Sequence, residues 1–153
     1  MVNLAPSTGP FGAQFRNEEC FVKAAAALSV GDLVTLSSED TSHPIPFDTA
    51  TVAGAEDDDI HIIYGIVTAA AAAAGDKVRV LLKGVVKATT DGNTADADKL
   101  SAGAGVLVDS DAEGVATGTQ KVLAIALETD SSDNEATVLF DGVNGFGSIG
   151  NAG

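Results

Sequence analysis

The sequence predicts an all-β protein: a small β-barrel or β-sandwich built from two quasi-repeated β units, with an extended N-terminal arm. Three observations predict it. Short runs rich in Val, Ile and Leu recur along the chain, separated by Gly/Asp turns, as in barrels and sandwiches. Hydrophobic residues make up 45% of the chain but aromatics only 5%, and Trp is absent. The core must therefore be Val, Leu, Ile and Ala, residues that suit compact β structure. Finally, Ala74-Gly75-Asp76-Lys77-Val78-Arg79-Val80-Leu81-Leu82-Lys83-Gly84-Val85-Val86 is echoed about sixty residues later by Ser132-Asp133-Asn134-Glu135-Ala136-Thr137-Val138-Leu139-Phe140-Asp141-Gly142-Val143. Each is preceded by an apolar run, Ile62-Ile63-Tyr64-Gly65-Ile66-Val67 and Val122-Leu123-Ala124-Ile125-Ala126-Leu127.

The elements follow in order. Residues 1–28 form an arm and lead-in. Pro6, Gly9, Pro10 and Gly12 exclude a regular helix or a central strand near its start, yet Phe11, Phe15 and Phe21 lie in or just after it. A strand is expected through Cys20-Phe21-Val22-Lys23. Residues 29–143 form the β domain, with quasi-repeats at about 30–86 and 96–143. Val30-Gly31-Asp32-Leu33-Val34-Thr35-Leu36 reads as a strand entered by a Gly-Asp turn. Residues 37–47 carry Pro44 and Pro46 and read as a loop, with a further strand over 49–53. An acidic turn, Glu56-Asp57-Asp58-Asp59, leads into a buried strand over 60–67. The six alanines that follow are too few for a stable helix, which needs about 12 residues, so they read as a loop or single turn.

Residues 77–82 form a strong strand that continues over 84–88 after a bend, and Asp91-Gly92-Asn93 is a turn. Shorter strands are expected near Asp98-Lys99-Leu100 and Val106-Leu107-Val108, then strands over 121–128 and 135–140. Residues 144–153 are glycine-rich and predict a loose tail. Ala97-Asp98-Lys99-Leu100 opens the second unit where Gly31-Asp32-Leu33-Val34 opens the first.

The formal charge is −14 and the pI about 4.1. Phosphate backbones are bound by clustered Lys and Arg, and the eight basic residues are scattered along the sequence without forming a patch. No nucleic-acid partner is expected. No apolar run reaches the ~20 residues of a membrane-spanning helix, and no secretory leader pattern is present, so no membrane association is expected. The single cysteine, Cys20, forms no intrachain disulfide. No local motif joins it to His43 or His61, so it reads as a small, partly buried apolar residue.

Asp109, Asp111 and Glu113, followed by Gly114, resemble the start of a calcium loop, in which carboxylates alternate around a sharp glycine bend. The twelfth position, however, is Gln120 rather than a bidentate Glu, and the expected reading is a solvated turn. Gly105-Val106-Leu107-Val108-Asp109-Ser110-Asp111 resembles a motif of trimeric deoxyuridine triphosphatases, but the aromatic that should stack on the base is missing and Ala112 stands nearby. Residues 56–59 with His61 read as a charged turn before a strand. Gly103-Ala104-Gly105 lacks the Lys-Ser or Lys-Thr of a phosphate loop. With no nucleophile, acid–base pair or metal cluster in view, the chain is expected not to be an enzyme and to need no cofactor or metal.

The scaffold residues themselves resemble a family. Val30-Gly31-Asp32-Leu33-Val34, Tyr64-Gly65-Ile66-Val67, Ala73-Ala74-Gly75-Asp76-Lys77-Val78-Arg79-Val80-Leu81-Leu82-Lys83-Gly84-Val85-Val86, Ala97-Asp98-Lys99-Leu100 and Ile125-Ala126-Leu127-Glu128 are similar to the capsid decoration (cement) proteins of tailed phages. The resemblance covers about residues 27–143. The long arm and the acidic turn depart from it. It implies a virion protein on the outer capsid surface, made in the host cytoplasm. Its partner would be the major capsid protein, and it would form a homotrimer at three-fold positions that clamps neighbouring subunits. On this reading Phe11, Phe15 and Phe21 anchor the arm to capsid or to a neighbouring copy. Two other classes stay open: a tail-fibre or surface-assembly β module that binds glycans, and a small trimeric hydrolase. The absence of Trp and the single Tyr weigh against sugar stacking.

Overall fold

The computed structural model of the protein describes residues 16–37, 49–53, 62–110 and 119–150. Every regular element among them is a strand: β1 (Glu18–Ala24), β2 (Leu33–Ser37), β3 (Thr49–Val52), β4 (Ile63–Ala69), β5 (Lys77–Thr89), β6 (Lys99–Ala102), β7 (Leu107–Asp109), β8 (Thr119–Lys121), β9 (Ala124–Ala126), β10 (Glu135–Asp141) and β11 (Ser148–Gly150). Nine of them form one sheet in the order β1-β3-β2-β4-β5-β10-β9-β6-β7, and β8 pairs with β11.

The sheet closes on itself. β1 pairs in parallel with β3 and antiparallel with β5, so β1-β3-β2-β4-β5 is a closed five-stranded barrel. The remaining strands are carried on its flank. A barrel leaves no open edge between its staves.

The predicted repeat is visible in the pairing. The second half of β5, then β6, β7, β9 and β10, follows the order of β1, β2, β3, β4 and the first half of β5. Even the parallel contact recurs, as a single bridge between Thr90 and Leu107. Individual hydrogen bonds match. Gly31 N donates to Val67 O at 2.9 Å, and Ala97 N to Ala126 O at 3.0 Å. Val67 N donates to Asp32 O, and Ala126 N to Asp98 O. Ala24 N donates to Asp76 O, and Thr90 N to Asn134 O, both at 2.8 Å. Each unit therefore begins one strand earlier than the sequence suggests. β1, assigned to the lead-in, is a stave of the barrel, because its inward residues Val22 and Ala24 complete the apolar lining.

Two cores result, and the apolar doublets explain why. In a strand, neighbours point to opposite faces. Leu33, Ile66 and Leu81 face the core shared between the units, with Tyr64, Leu100, Leu107, Leu123 and Phe140. Val34, Val67 and Val80 face the barrel interior, with Leu28, Leu36, Ala50 and Val78. All of these side chains are buried. A strand buried on both faces shows adjacent apolar residues where it is covered on both sides, and these three strands carry the doublets Leu33-Val34, Ile66-Val67 and Val80-Leu81.

Three expectations change. The strand predicted over 121–128 breaks at Val122 and Leu123, where the chain passes from β8, the partner of β11, to β9 in the main sheet. Val122 N bonds Gly147 O, whereas Leu123 N bonds Leu100 O. The loose tail predicted over 144–153 is instead ordered at Ser148–Gly150, which pairs antiparallel with β8. Val30 and Gly31 belong to a turn rather than a strand, because the Asp32 carboxylate accepts the Ser29 amide at 2.8 Å.

Candidate interaction surface

Phe21 is the one sequence-predicted contact residue within the described residues; Phe11 and Phe15 lie outside them. Alternation along β1 sends Cys20, Val22 and Ala24 inward and Glu19, Phe21 and Lys23 outward. Phe21 is 62% exposed, the most exposed large apolar side chain among the described residues. Burial pushes the Cys20 thiol above its ordinary pKa, which disfavours the thiolate and fits a packing role.

Across from β1, the register sets Phe21 opposite Arg79 and Lys23 opposite Lys77. Lys77 Nζ sits 4.6 Å from the centre of the Phe21 ring, within cation–π range. Arg79 Nε donates to Thr68 Oγ1 at 3.1 Å and lies 3.6 Å from a Glu19 carboxylate oxygen. Further along β5, Lys83 lies 3.3 Å from Asp141 and Lys87 lies 3.9 Å from Glu135.

Both ends of β1 are fastened. At the start, the Asn17 carboxamide accepts the Val85 amide at 3.1 Å and donates to the Val85 carbonyl at 3.4 Å. This contact needs Gly84: its φ is +140°, and a Cβ there would collide with the Asn17 carboxamide. At the other end, Ala24 exchanges backbone hydrogen bonds with Gly75 and Asp76. Phe21 is thus an exposed aromatic on a rigid stave, not on a free arm.

The basic residues are not scattered in space. Arg16, Lys23, Lys77, Arg79, Lys83 and Lys87 lie on β1, on β5 or just before β1. The sequence reading of no basic patch is corrected here, because strands distant in sequence are adjacent in the sheet. Lys77 and Arg79 share the outward face with Phe21, but the alternation does not carry through to Lys83 and Lys87: Leu81, of the same parity, is buried in the shared core, and the register against β1 shifts between Leu81 and Lys83.

The other candidates separate. Asp109 ends β7 opposite Leu100, while Asp111, Glu113, residues 56–59 and both histidines lie outside the described residues. Among the described residues no group of His, Cys, Asp and Glu could hold a metal ion. Tyr64 is a core side chain.

One polar cluster that sequence reasoning missed lies beneath the second unit. Lys121 is buried, and its amine donates to the carbonyls of Val143 at 2.6 Å, Ile62 at 3.3 Å and Gly142 at 3.4 Å. Burial lowers its pKa, and Asp141 partly opposes that. Asp141 is also buried, and burial alone would raise its pKa. The amides of Asn144 and Val143 and the Lys83 ammonium outweigh it, and the net shift is downward. These groups fix the 142–147 loop on which β11 depends and leave no acid–base pair facing solvent.

No protein-family model matches the sequence, and no curated protein does. Among solved structures, the fold is similar to the N base of the head fibre protein gp8.5 of bacteriophage phi29. The TM-score is 0.50, and the alignment covers 84% of this chain and 97% of that one, at 15% sequence identity. At that identity the likeness is one of fold.

Proposed function

We propose that this chain is a non-enzymatic structural protein of a tailed-phage head, a decoration protein that binds the outer capsid surface and holds neighbouring major capsid subunits together, as a homotrimer. The observation that carries the reading is the fold shared with a phage head-fibre base over 97% of that chain. The likeness of the scaffold residues to cement proteins supports it independently. The physics is consistent: many copies on a symmetric lattice each need only modest affinity, since simultaneous contact with adjacent subunits raises the effective strength.

The test is quantitative mass spectrometry of gradient-purified phage particles from the source of the chain. A ratio to the major capsid protein near one, or at another simple lattice fraction, supports a shell-covering role. Absence from particles overturns it. Removing residues 1–14 is expected to abolish attachment if Phe11 anchors the arm.

A second reading is favoured by the identity of the structural neighbour: the base of a fibre standing on the head. It predicts a few copies per lattice vertex or face, far below one per capsid subunit, and a longer fibre component in equal amount.

A further inference from the structure

The charge of this chain is strongly segregated. Residues 16–24 and 77–89 hold six basic against two acidic residues, a formal +4, while the rest holds two basic against twenty acidic, a formal −18. The two segments are the lead-in with β1, and β5, which lie side by side. On β5, Lys77 and Arg79 occupy the outward face beside Phe21, ahead of the buried Leu81.

The arrangement costs stability. Phe21, opposite Arg79 and beside Lys77, leaves most of its ring in water, so a hydrophobic gain of about 1.5–3 kcal/mol for a buried large side chain goes largely unrealised. The nearby carboxylates of Glu19, Asp141 and Glu135 sit 3.3–3.9 Å from their cations, on basic side chains 42–57% exposed. The exposed pairs of Arg79 with Glu19 and Lys87 with Glu135 are weak and exchangeable, whereas Lys83 is held by the buried Asp141. Fixed cations around an exposed aromatic form an anchor with a charged rim, the usual anatomy of a binding hot spot.

We infer that the outward face of β1 and β5 is a docking surface for a protein that presents carboxylates around an apolar recess. Phe21 is the anchor, and Lys77 and Arg79 are the rim. Charge complementarity selects the occupant. A continuous phosphate backbone cannot avoid Glu18 and Glu19 on β1, whereas a few carboxylates set around an apolar recess can be spaced to meet Lys77 and Arg79. The inference does not rest on the capsid reading, because it fixes the chemistry of the partner and not its identity.

The test is an amide NMR titration of the full chain with a peptide of sequence Glu-Glu-Leu-Leu-Glu-Glu, beside a thymidine hexanucleotide. The expected result is shifts confined to β1 and β5, stronger with the peptide and weakening as salt rises. Phe21→Ser is expected to weaken binding several-fold, and the pair Lys77→Glu with Arg79→Glu about tenfold or more. Lys99→Glu, a single charge reversal away from the face, should leave it within about twofold. All four positions are exposed or half-exposed, so the amide spectrum of each variant also reports that it folds. No shifts, shifts elsewhere, or equal loss with Lys99→Glu would overturn the inference. Tighter binding of the oligonucleotide would overturn it in favour of nucleic acid.

Discussion

Ala97 stands in the second unit where Gly31 stands in the first. Each precedes the aspartate that opens its unit's second strand, and each has a positive φ, 72° at Ala97 and 95° at Gly31. The turns match in detail: Asp32 accepts the Ser29 amide through its side chain, and Asp98 accepts the Ala95 amide at 2.7 Å. The left-handed region costs a residue with a Cβ about 1–2 kcal/mol, which glycine avoids at some cost in unfolded-state entropy. Ala97→Gly is therefore expected to raise stability by about 0.5–1 kcal/mol, read by urea unfolding. Gly31→Ala should lower it by more than Ala97→Gly raises it, because a Cβ there would also press on Thr89 Oγ1 at 2.7 Å.

Asn17 and Gly84 form the second test. The Asn17 carboxamide holds both polar groups of Val85 and seats the start of β1. Asn17→Ala is expected to cost about 1–2 kcal/mol, the usual range for orphaning backbone groups that had partners. Gly84→Ala should cost at least as much and push Asn17 away. Hydrogen exchange localises the effect: protection should fall first at residues 18–24, and uniform loss across both units would contradict the assignment.

Much of this was legible in the sequence. The strand positions follow from apolar runs and Gly-Asp turns, and the repeat was readable because equivalent turns keep Asp at the same place. The doublets Leu33-Val34, Ile66-Val67 and Val80-Leu81 marked strands buried on both sides. Illegible were the contacts between distant strands. Nothing local reveals that Cys20-Phe21-Val22 closes a barrel against Val78-Arg79-Val80, and so the basic face stayed hidden. Nor does a short segment such as Ser148–Gly150, amid glycines, announce itself as a strand. Its partner β8 lies far back in the chain, and it is the Lys121 and Asp141 contacts that hold the intervening loop.

Asp141 sets an acid limit. Its pKa is depressed in the fold, so its contribution to stability is fully present above the unfolded value, near 3.9, and is lost as pH falls through the lower folded value. Asp141→Asn keeps an oxygen for the Val143 and Asn144 amides but removes the charge that faces Lys83 and Lys121. The variant is expected to be less stable than wild type at pH 7, with the two unfolding curves converging as pH falls below the ordinary carboxylate range. A difference that does not shrink as the pH is lowered would exclude the linkage.

Thr94 occupies the place of Leu28. Leu28 exchanges backbone hydrogen bonds with Ala71, while Thr94 accepts the Asp130 amide and donates its own amide to the Asp130 carboxylate at 2.8 Å. Where the first unit lines this end with Ala24, Leu28 and Ala71, the second has Thr90, Thr94 and Asp130, with Thr90 Oγ1 donating to Asp130 at 2.6 Å. The Thr94 hydroxyl is buried without a hydrogen-bond partner, and an unsatisfied buried hydroxyl costs about 1–3 kcal/mol. Thr94→Val keeps the shape and removes that cost, so stability should rise by up to about 1 kcal/mol in urea unfolding. Thr90→Val, by contrast, strips Asp130 of a bond and should lower it. A loss of more than about 1 kcal/mol in Thr94→Val would mean that the hydroxyl holds a bound water that the second unit needs.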